Sequence, residues 1–411
     1  MTHLEPTAWA ALRPLCWVEI DGEALTANVR TLAARARSFG RQPLLAAMVK
    51  GNAYGHGRLL AARAFLEGGA DWLCVADVFE AAELRDAGIS APLYNVVATP
   101  TDHAAAAVAL DLRMVTVDLE PALAAAAAAR AQGGVARLHL KLETGTHRQG
   151  LALPDLLALA TRLLGEQGAH IEGICSHYAD VEDTTDHAFA QSQRQRFDAG
   201  CAALRGLLAQ HGRDPDALLS HTSNSAALLL WPEHEATLLR FGIAAFGLWP
   251  SKETSLSAQH LGQRPITLRP ALTWKSRILQ IKEVEEGGYV GYGRTFRALR
   301  PTRLGLLPMG YADGYDRRLS GRGQVLVRGR RAPVVGRVAM NLVAIDLTDT
   351  KGACVDDEVV LLGGQEWPGQ ERAEIRAEEM AAWLGTIHYE VTTRIAERLP
   401  RVPTGTLPRW R

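Results

Sequence analysis

Lys50 is the residue in this chain best placed to do covalent chemistry. An apolar run, Pro43 to Val49, ends at it, and Gly51-Asn52-Ala53-Tyr54-Gly55-His56-Gly57 then breaks into a turn. A lysine at the C-terminal mouth of a buried strand is half out of water, and desolvation favours its neutral, nucleophilic form. Such an amine condenses with carbonyl compounds, and pyridoxal phosphate is the commonest partner of that kind. The plainer alternative is a lysine that snorkels at a strand end while the glycines serve the turn. On this stretch alone the plainer alternative is preferred, so the rest of the chain has to decide.

The elements that must position Lys50 follow a rhythm. Short β-rich runs at 43–50, 72–77, 92–97, 113–118, 136–143, 170–178, 218–224 and 238–242 alternate with helical stretches such as Glu80 to Ala87 and Pro121 to Gln132. Alternation of this kind means a parallel sheet covered on both faces, and eight strands suit a closed barrel. The expected fold class is therefore α/β, a (β/α)8 TIM-like barrel over residues 22–258. An open doubly wound sheet is the runner-up, but no glycine-rich dinucleotide fingerprint follows the first strands. After about residue 258 the rhythm gives way to short strands broken by glycine, from Ala271 to Leu362, with one helix at about Ala377 to Leu384. This predicts a mostly β second domain, residues 259–411, joined by the early strand in 1–21. Ser251 to Arg264 is polar and reads as a linker.

Barrels of this type carry their working residues at the C-terminal ends of strands. Lys50 ends the first barrel strand, Arg148 follows the fifth, His177 ends the sixth, Asn224-Ser225 follows the seventh, and Arg240-Phe241-Gly242-Ile243 lies at the eighth. The loops after the last two strands are the usual phosphate cradle, where Ser225 offers a hydroxyl and Gly242 and Ile243 offer N–H groups. Taken singly, His177 reads as a satisfied core histidine, Arg148 as a partner for Asp155 and Ser225 as a helix cap. Gathered at the same ends of five strands, they read as one site.

Composition narrows the classes. Lys+Arg and Asp+Glu both number 45 in 411 residues, which leaves no electrostatic footprint for nucleic acid or an anionic membrane. No apolar run approaches the roughly 20 residues of a membrane span. Met1 to Pro14 does not read as a secretory signal. Cys16, Cys74, Cys175, Cys201 and Cys354 are few and unpaired in spacing, so a cytoplasmic protein without disulfides or a metal site is expected.

Seven ordered motifs carry a resemblance over essentially the whole chain. They are Val49 to Gly57, Glu143-Thr144-Gly145 through Arg148-Gln149-Gly150, Ser223-Asn224-Ser225, Val290-Gly291-Tyr292-Gly293-Arg294-Thr295, Met309 to Tyr315, Gly336 to Met340, and Gly385-Thr386-Ile387-His388-Tyr389-Glu390. In these the chain resembles the alanine racemases, two-domain pyridoxal-phosphate enzymes that interconvert L- and D-alanine. The resemblance implies that Lys50 carries the cofactor as a Schiff base and is one catalytic base, and that Tyr292 is the opposing base. It assigns Tyr54, Ser225, Gly242, Ile243 and Tyr389 to the phosphate. It sets Arg240 at the pyridine nitrogen, with His177 hydrogen-bonded behind it. Arg148 falls to the cofactor's phenolic oxygen and the substrate carboxylate, the Met340 N–H to that carboxylate, Tyr311 to the entrance, and Lys141 to a lysine carbamylated in some relatives. It also implies a homodimer in which Tyr292 arrives from the partner subunit, a small amino-acid substrate, and a part in making D-alanine for peptidoglycan.

The physical logic runs alongside. Moving a Cα proton from one face of a planar adduct to the other needs a base on each side. A tyrosine, ordinarily titrating at about 10, needs a nearby cation to work near neutrality. Three positions depart from the family pattern: Thr146 in place of methionine, Asn341 in place of aspartate and Ala339 in place of cysteine. Their bearing is on side-chain preference, so serine or lysine racemisation is the alternative to alanine. A pyridoxal-phosphate binding protein without turnover is the alternative from another class, and the second domain with Tyr292 argues against it.

Overall fold

The computed structural model describes residues 13–232 and 237–405. The secretory-signal reading concerned Met1 to Pro14, and residues 1–12 of it lie outside the described residues. The chain divides into two compact units: residues 23–53 with 58–270, and residues 1–22 and 54–57 with 271–411.

The first unit holds eight parallel strands: β2 (Leu44–Met48), β3 (Trp72–Val75), β4 (Leu93–Asn95), β5 (Leu112–Thr116), β6 (Ala136–Lys141), β7 (Ala169–Cys175), β8 (Leu219–His221) and β9 (Leu238–Phe241). The ladder runs β8-β7-β6-β5-β4-β3-β2-β9 and is parallel throughout. Each expected strand is present, trimmed by a few residues. The barrel closes between β8 and β9 through the Ser223 side chain and a backbone bond. Ser223 Oγ accepts from the Arg240 N–H (2.7 Å) and donates to the Arg240 carbonyl (3.2 Å), while the Thr237 N–H meets the Ser220 carbonyl at 3.1 Å. Ala46, Trp72, Cys74, Tyr94, Val115, Cys175 and Leu238 fill the interior from the strands. Such layers of inward side chains make a barrel a packed core rather than a pore. In the alanine-rich helix Leu119–Ala131, Ala122, Ala125, Ala126 and Ala129 are buried, the close packing that its composition predicts.

The second unit is built on antiparallel strands. Strand β1 (Cys16–Asp21) pairs antiparallel with β10 (Leu272–Arg277) and parallel with Arg401–Thr404, so the early strand does belong with the late ones. The sheet continues through Glu358–Gln365, Gln324–Val327, Arg330–Val335, Val343–Asp346, Thr302–Leu307 and Gln280–Val284. A separate two-stranded ribbon, Tyr289–Val290 with Phe296–Arg297, carries Tyr292 at its tip. The helix Ala377–Leu384 forms as expected, and a further helix, His388–Thr393, holds Tyr389.

Two expectations need correction. Ser251 to Arg264 is no linker, because Lys252–His260 is a helix capped by Ser251, whose Oγ accepts from the Thr254 N–H at 2.9 Å. Thr254, Ser257 and Ala258 are buried, so small polar residues do the packing that the composition hid. The division between units accordingly falls at 270/271 rather than 258/259. Residues 54–57 also group with the second unit: the Gly55 carbonyl accepts from Arg401 Nε at 3.1 Å, and a Cβ at Gly55 would collide with the Thr392 carbonyl.

Candidate active site

Lys50 follows β2 directly and opens a left-handed turn. Gly51, Asn52, Ala53 and Tyr54 all have φ between 50° and 60°. For residues other than glycine that conformation costs roughly 1–2 kcal/mol each, so something must hold it. Glu80 does much of this: Oε1 accepts from the Gly51 N–H (2.8 Å) and from Arg58 Nη2 (2.9 Å), while Oε2 accepts from the Ala76 N–H (2.8 Å). Asn52 Oδ1 accepts from the Arg58 N–H at 2.8 Å, and the Ala53 N–H returns to the Val49 carbonyl at 2.9 Å. Glu80 was not singled out from sequence. Its signal there is Asp77-x-x-Glu80, which marks only a capped helix start, and the Asp77 cap indeed forms.

Charges of both signs surround Lys50. Burial pushes its amine below the ordinary lysine range, Arg148 and Arg240 push the same way, and Cys74 and Glu80 pull back. Among the described residues the amine takes no hydrogen bond or ion pair. Lys141, at the end of β6, is buried and likewise lowered, first by burial and then by Arg240 and Arg148 against Cys175 and Glu143. His177 is held well below its usual range by burial and by Arg240, Arg148, Lys141 and Lys50, and is therefore a neutral imidazole at neutral pH. Lys50, Lys141, Arg148 and Arg240 thus gather around a neutral His177, all but Arg148 drawn out of water. This arrangement suits a ligand rich in anionic oxygen.

Beside them stands the cradle. Ser225, buried at the start of the helix Ser225–Leu230, has its Oγ 2.9 Å from the Gly242 N–H and 3.3 Å from the Ala244 N–H. Ile243 is buried at the start of the next short helix. Asn224 caps Ser225–Leu230 through Oδ1 (2.8 Å to the Ala227 N–H) and donates to Glu182 at 3.2 Å. Its side chain is occupied in supporting the loop.

Arg240 differs in one detail from expectation. Nη2 donates to the Ser176 carbonyl at 2.6 Å, and among the described residues no hydrogen bond joins Arg240 to His177. Its Nε is buried without a partner. Arg148, by contrast, is exposed on the loop after β6.

The second unit displays its candidates differently. Tyr292 is 72% exposed, between Gly291 (φ 73°) and Gly293 (φ 71°). Gly293 is constrained further, since a Cβ there would come 3.1 Å from the Arg337 guanidinium carbon. Met340 is 55% exposed and Tyr311 is exposed too. The two loops are tied together: the Tyr311 N–H meets the Ala339 carbonyl (3.1 Å) and the Ala312 N–H meets the Met340 carbonyl (3.0 Å). Tyr54 and Tyr389 lie in this unit with ring centroids 6.1 Å apart. Among the described residues no group of three or more His, Cys, Asp or Glu is arranged to hold a metal. No helix among them is long and apolar enough to cross a membrane.

A parallel barrel with a desolvated lysine at a strand end, together with a mostly antiparallel β unit, defines the class. The comparisons give the family. The model of the alanine racemase N-terminal domain matches residues 20–250, and that of the C-terminal domain matches residues 271–403. An alanine racemase of Symbiobacterium thermophilum is 40% identical over 96% of this chain and 98% of its own length. Among solved structures, alanine racemase from D-cycloserine-producing Streptomyces lavendulae is 37% identical with a TM-score of 0.83, covering 96% of this chain and 98% of that one. Alanine racemase from Bacillus anthracis with bound L-Ala-P is 31% identical with a TM-score of 0.84, covering 96% of both chains. The chain belongs to the alanine racemase family.

Proposed function

We propose that this protein interconverts L-alanine and D-alanine, with pyridoxal phosphate held on Lys50. The observation that carries the reading is the desolvated, unpaired amine of Lys50 among Lys141, Arg148 and Arg240, in a chain whose two units both match alanine racemase domains. The residues fit the cofactor. The Ser225–Gly242–Ile243 cradle suits its phosphate, with Tyr54 and Tyr389 as further donors, and the unmatched Nε of Arg240 suits an acceptor on its ring. When bound, the cofactor supplies an electron-withdrawing ring that acidifies the substrate Cα–H.

The chain's own residues do the rest. Arg148 and the Met340 N–H orient the substrate carboxylate. Lys50 takes or returns the Cα proton on one face, and Tyr292 does so on the other. Its exposed phenol is supplied by a partner subunit in a homodimer, and the exposed Met340 and Tyr311 are contributed alongside it. Arg240 would face the ring nitrogen as a hydrogen-bond donor, which would leave that nitrogen without a proton of its own. This limits the electron sink and favours simple proton return. A neutral His177 adds no further charge. Lys141, whose amine is also lowered, is open to carbamylation. A cytoplasmic place and a role in supplying D-alanine for peptidoglycan follow from the same reading.

The test is turnover of L- and D-alanine against L- and D-serine by the purified protein, with solvent deuterium entering at Cα. Racemisation of alanine ahead of serine is expected. Cofactor binding without Cα exchange would reduce the protein to a carrier, and serine turnover well ahead of alanine would overturn the substrate.

A further inference from the structure

The loop that carries Arg148 is held by a directional circuit of hydrogen bonds. Its base is closed by a pair of bonds, the Glu143 N–H to the Leu151 carbonyl (2.8 Å) and the Leu151 N–H to the Lys141 carbonyl (2.9 Å). Inside the loop, Glu143 Oε1 accepts from the Gly145 N–H (2.5 Å) and the Thr146 N–H (2.7 Å). Burial alone would raise the Glu143 carboxyl. The N–H groups of Gly145, His147 and Thr146 outweigh it and bring the carboxyl below the usual range, so it is an anion at neutral pH.

Side chains then tie this loop to the end of β7. Ser176 Oγ lies 2.8 Å from the Leu142 carbonyl, which can only accept, so the serine proton points there. Thr144 Oγ1, 2.8 Å from Ser176 Oγ, must therefore donate to it, and in turn accepts from Gln193 Nε2 at 3.2 Å. The same amide nitrogen reaches the His177 carbonyl at 3.2 Å, and Gln193 Oε1 accepts from the Ala179 N–H at 2.9 Å. Thr144, Ser176 and Gln193 are all buried. Buried polar groups that are fully matched specify one arrangement of the chain around them. One bond completes the attachment on the Arg148 side: Thr146 Oγ1 donates to the His177 carbonyl at 2.6 Å. A side chain without a hydroxyl cannot make it.

We infer that Thr146 is a positioning residue: its hydroxyl pins the Arg148 loop to the His177 carbonyl and so fixes where the Arg148 guanidinium is presented beside Lys50. The role of Arg148 toward a substrate carboxylate rests on the function proposed above, whereas the pin itself does not. Arg148 is exposed and takes no hydrogen bond among the described residues, so its place depends on its backbone. The charge of Arg148 is felt at Lys50, His177 and Lys141, so a displaced loop alters the field of the whole strand-end cluster.

The test uses the full-length holoenzyme and three proteins: parent, Thr146→Val and Thr146→Ser. Should the valine variant not fold, Thr146→Ala takes its place. Amide hydrogen exchange at residues 145–148 should be faster in Thr146→Val and near parental in Thr146→Ser. The KM for alanine should rise about three- to tenfold in Thr146→Val, the worth of one neutral hydrogen bond, with kcat little changed, and return toward the parent in Thr146→Ser. Unchanged exchange in Thr146→Val would overturn the pin, as would a serine variant that behaves like valine. Faster exchange with an unchanged KM, or with the loss confined to kcat, would overturn the link to Arg148. If the parent does not turn over alanine, the proposed function fails, and the exchange arm still decides the pin.

Discussion

The two units handle their reactive side chains in opposite ways. The barrel takes Lys50, Lys141, His177 and Arg240 partly or wholly out of water, and burial and neighbouring charge lower the two amines and the imidazole. The β unit leaves Tyr292, Met340 and Tyr311 in solvent on glycine-bounded loops, held by backbone bonds rather than by a charged shell. One unit carries a preorganised electrostatic site. The other carries solvent-exposed groups on loops fixed by backbone bonds. Preorganised dipoles and charges do most in water-excluded sites, so the second set gains its power only when something covers it.

That contrast breaks most sharply at the two proposed bases. Lys50→Ala and Tyr292→Phe should each lower racemisation by about 10²–10⁴-fold or more, the usual worth of a positioned acid or base. They should part in the absorbance spectrum: Lys50→Ala loses the visible imine band of the holoenzyme, whereas Tyr292→Phe keeps it. Loss of the band in Tyr292→Phe would mean that the exposed phenol holds the cofactor rather than moves a proton.

A smaller effect sharpens the idea that the barrel site is braced from within. Glu80→Gln keeps an acceptor for one of the N–H groups but weakens the hold on the left-handed turn after Lys50. A loss of about 1–3 kcal/mol in urea unfolding is expected for a charged hydrogen-bond partner, with a tenfold or smaller fall in kcat. Parental stability would show that the turn is held by Asn52 and the glycines alone.

The smallest effect concerns pH. His177 and His221 are held well below the ordinary histidine range, His221 by burial, Arg240, His139 and Lys141. The unfolded chain titrates these groups near 6.5, so between that value and their folded values it binds more protons than the native state. Their contribution to stability is complete above about 6.5 and is lost as the pH falls below it, on the order of 1 kcal/mol per pH unit for each histidine. Urea unfolding of the apoprotein at pH 7.5 and 5.5 should show this slope, and His221→Asn should reduce it. An unchanged slope would mean that His221 titrates alike in the folded and unfolded chain.

How much of this was legible in the sequence differs along the same line. The barrel announces itself because strand and helix alternate, and its site residues sit where strand ends must bring them. What stayed hidden there are bonds between a side chain and a backbone group distant in sequence: Glu80 to the Lys50 turn, Ser223 across the β8–β9 seam, and Arg240 to the Ser176 carbonyl instead of His177. Helix Lys252–His260 was missed because its buried face is threonine, serine and alanine, which leaves no apolar stripe. In the β unit the strands show through their glycine breaks. The roles of Tyr292, Met340, Tyr54 and Tyr389, however, have no periodic signature and came only through resemblance. The helix His388–Thr393 under Tyr389 is too short to leave a pattern.

The central claim is that Lys50 and Tyr292 serve one site from two different chains. Purified Lys50→Ala and Tyr292→Phe proteins, each nearly inactive, should be mixed under conditions that let subunits exchange. The account expects activity to return, because a mixed dimer contains one site with an intact lysine and an intact tyrosine. A mixture that exchanges subunits and stays as inactive as its components would contradict it.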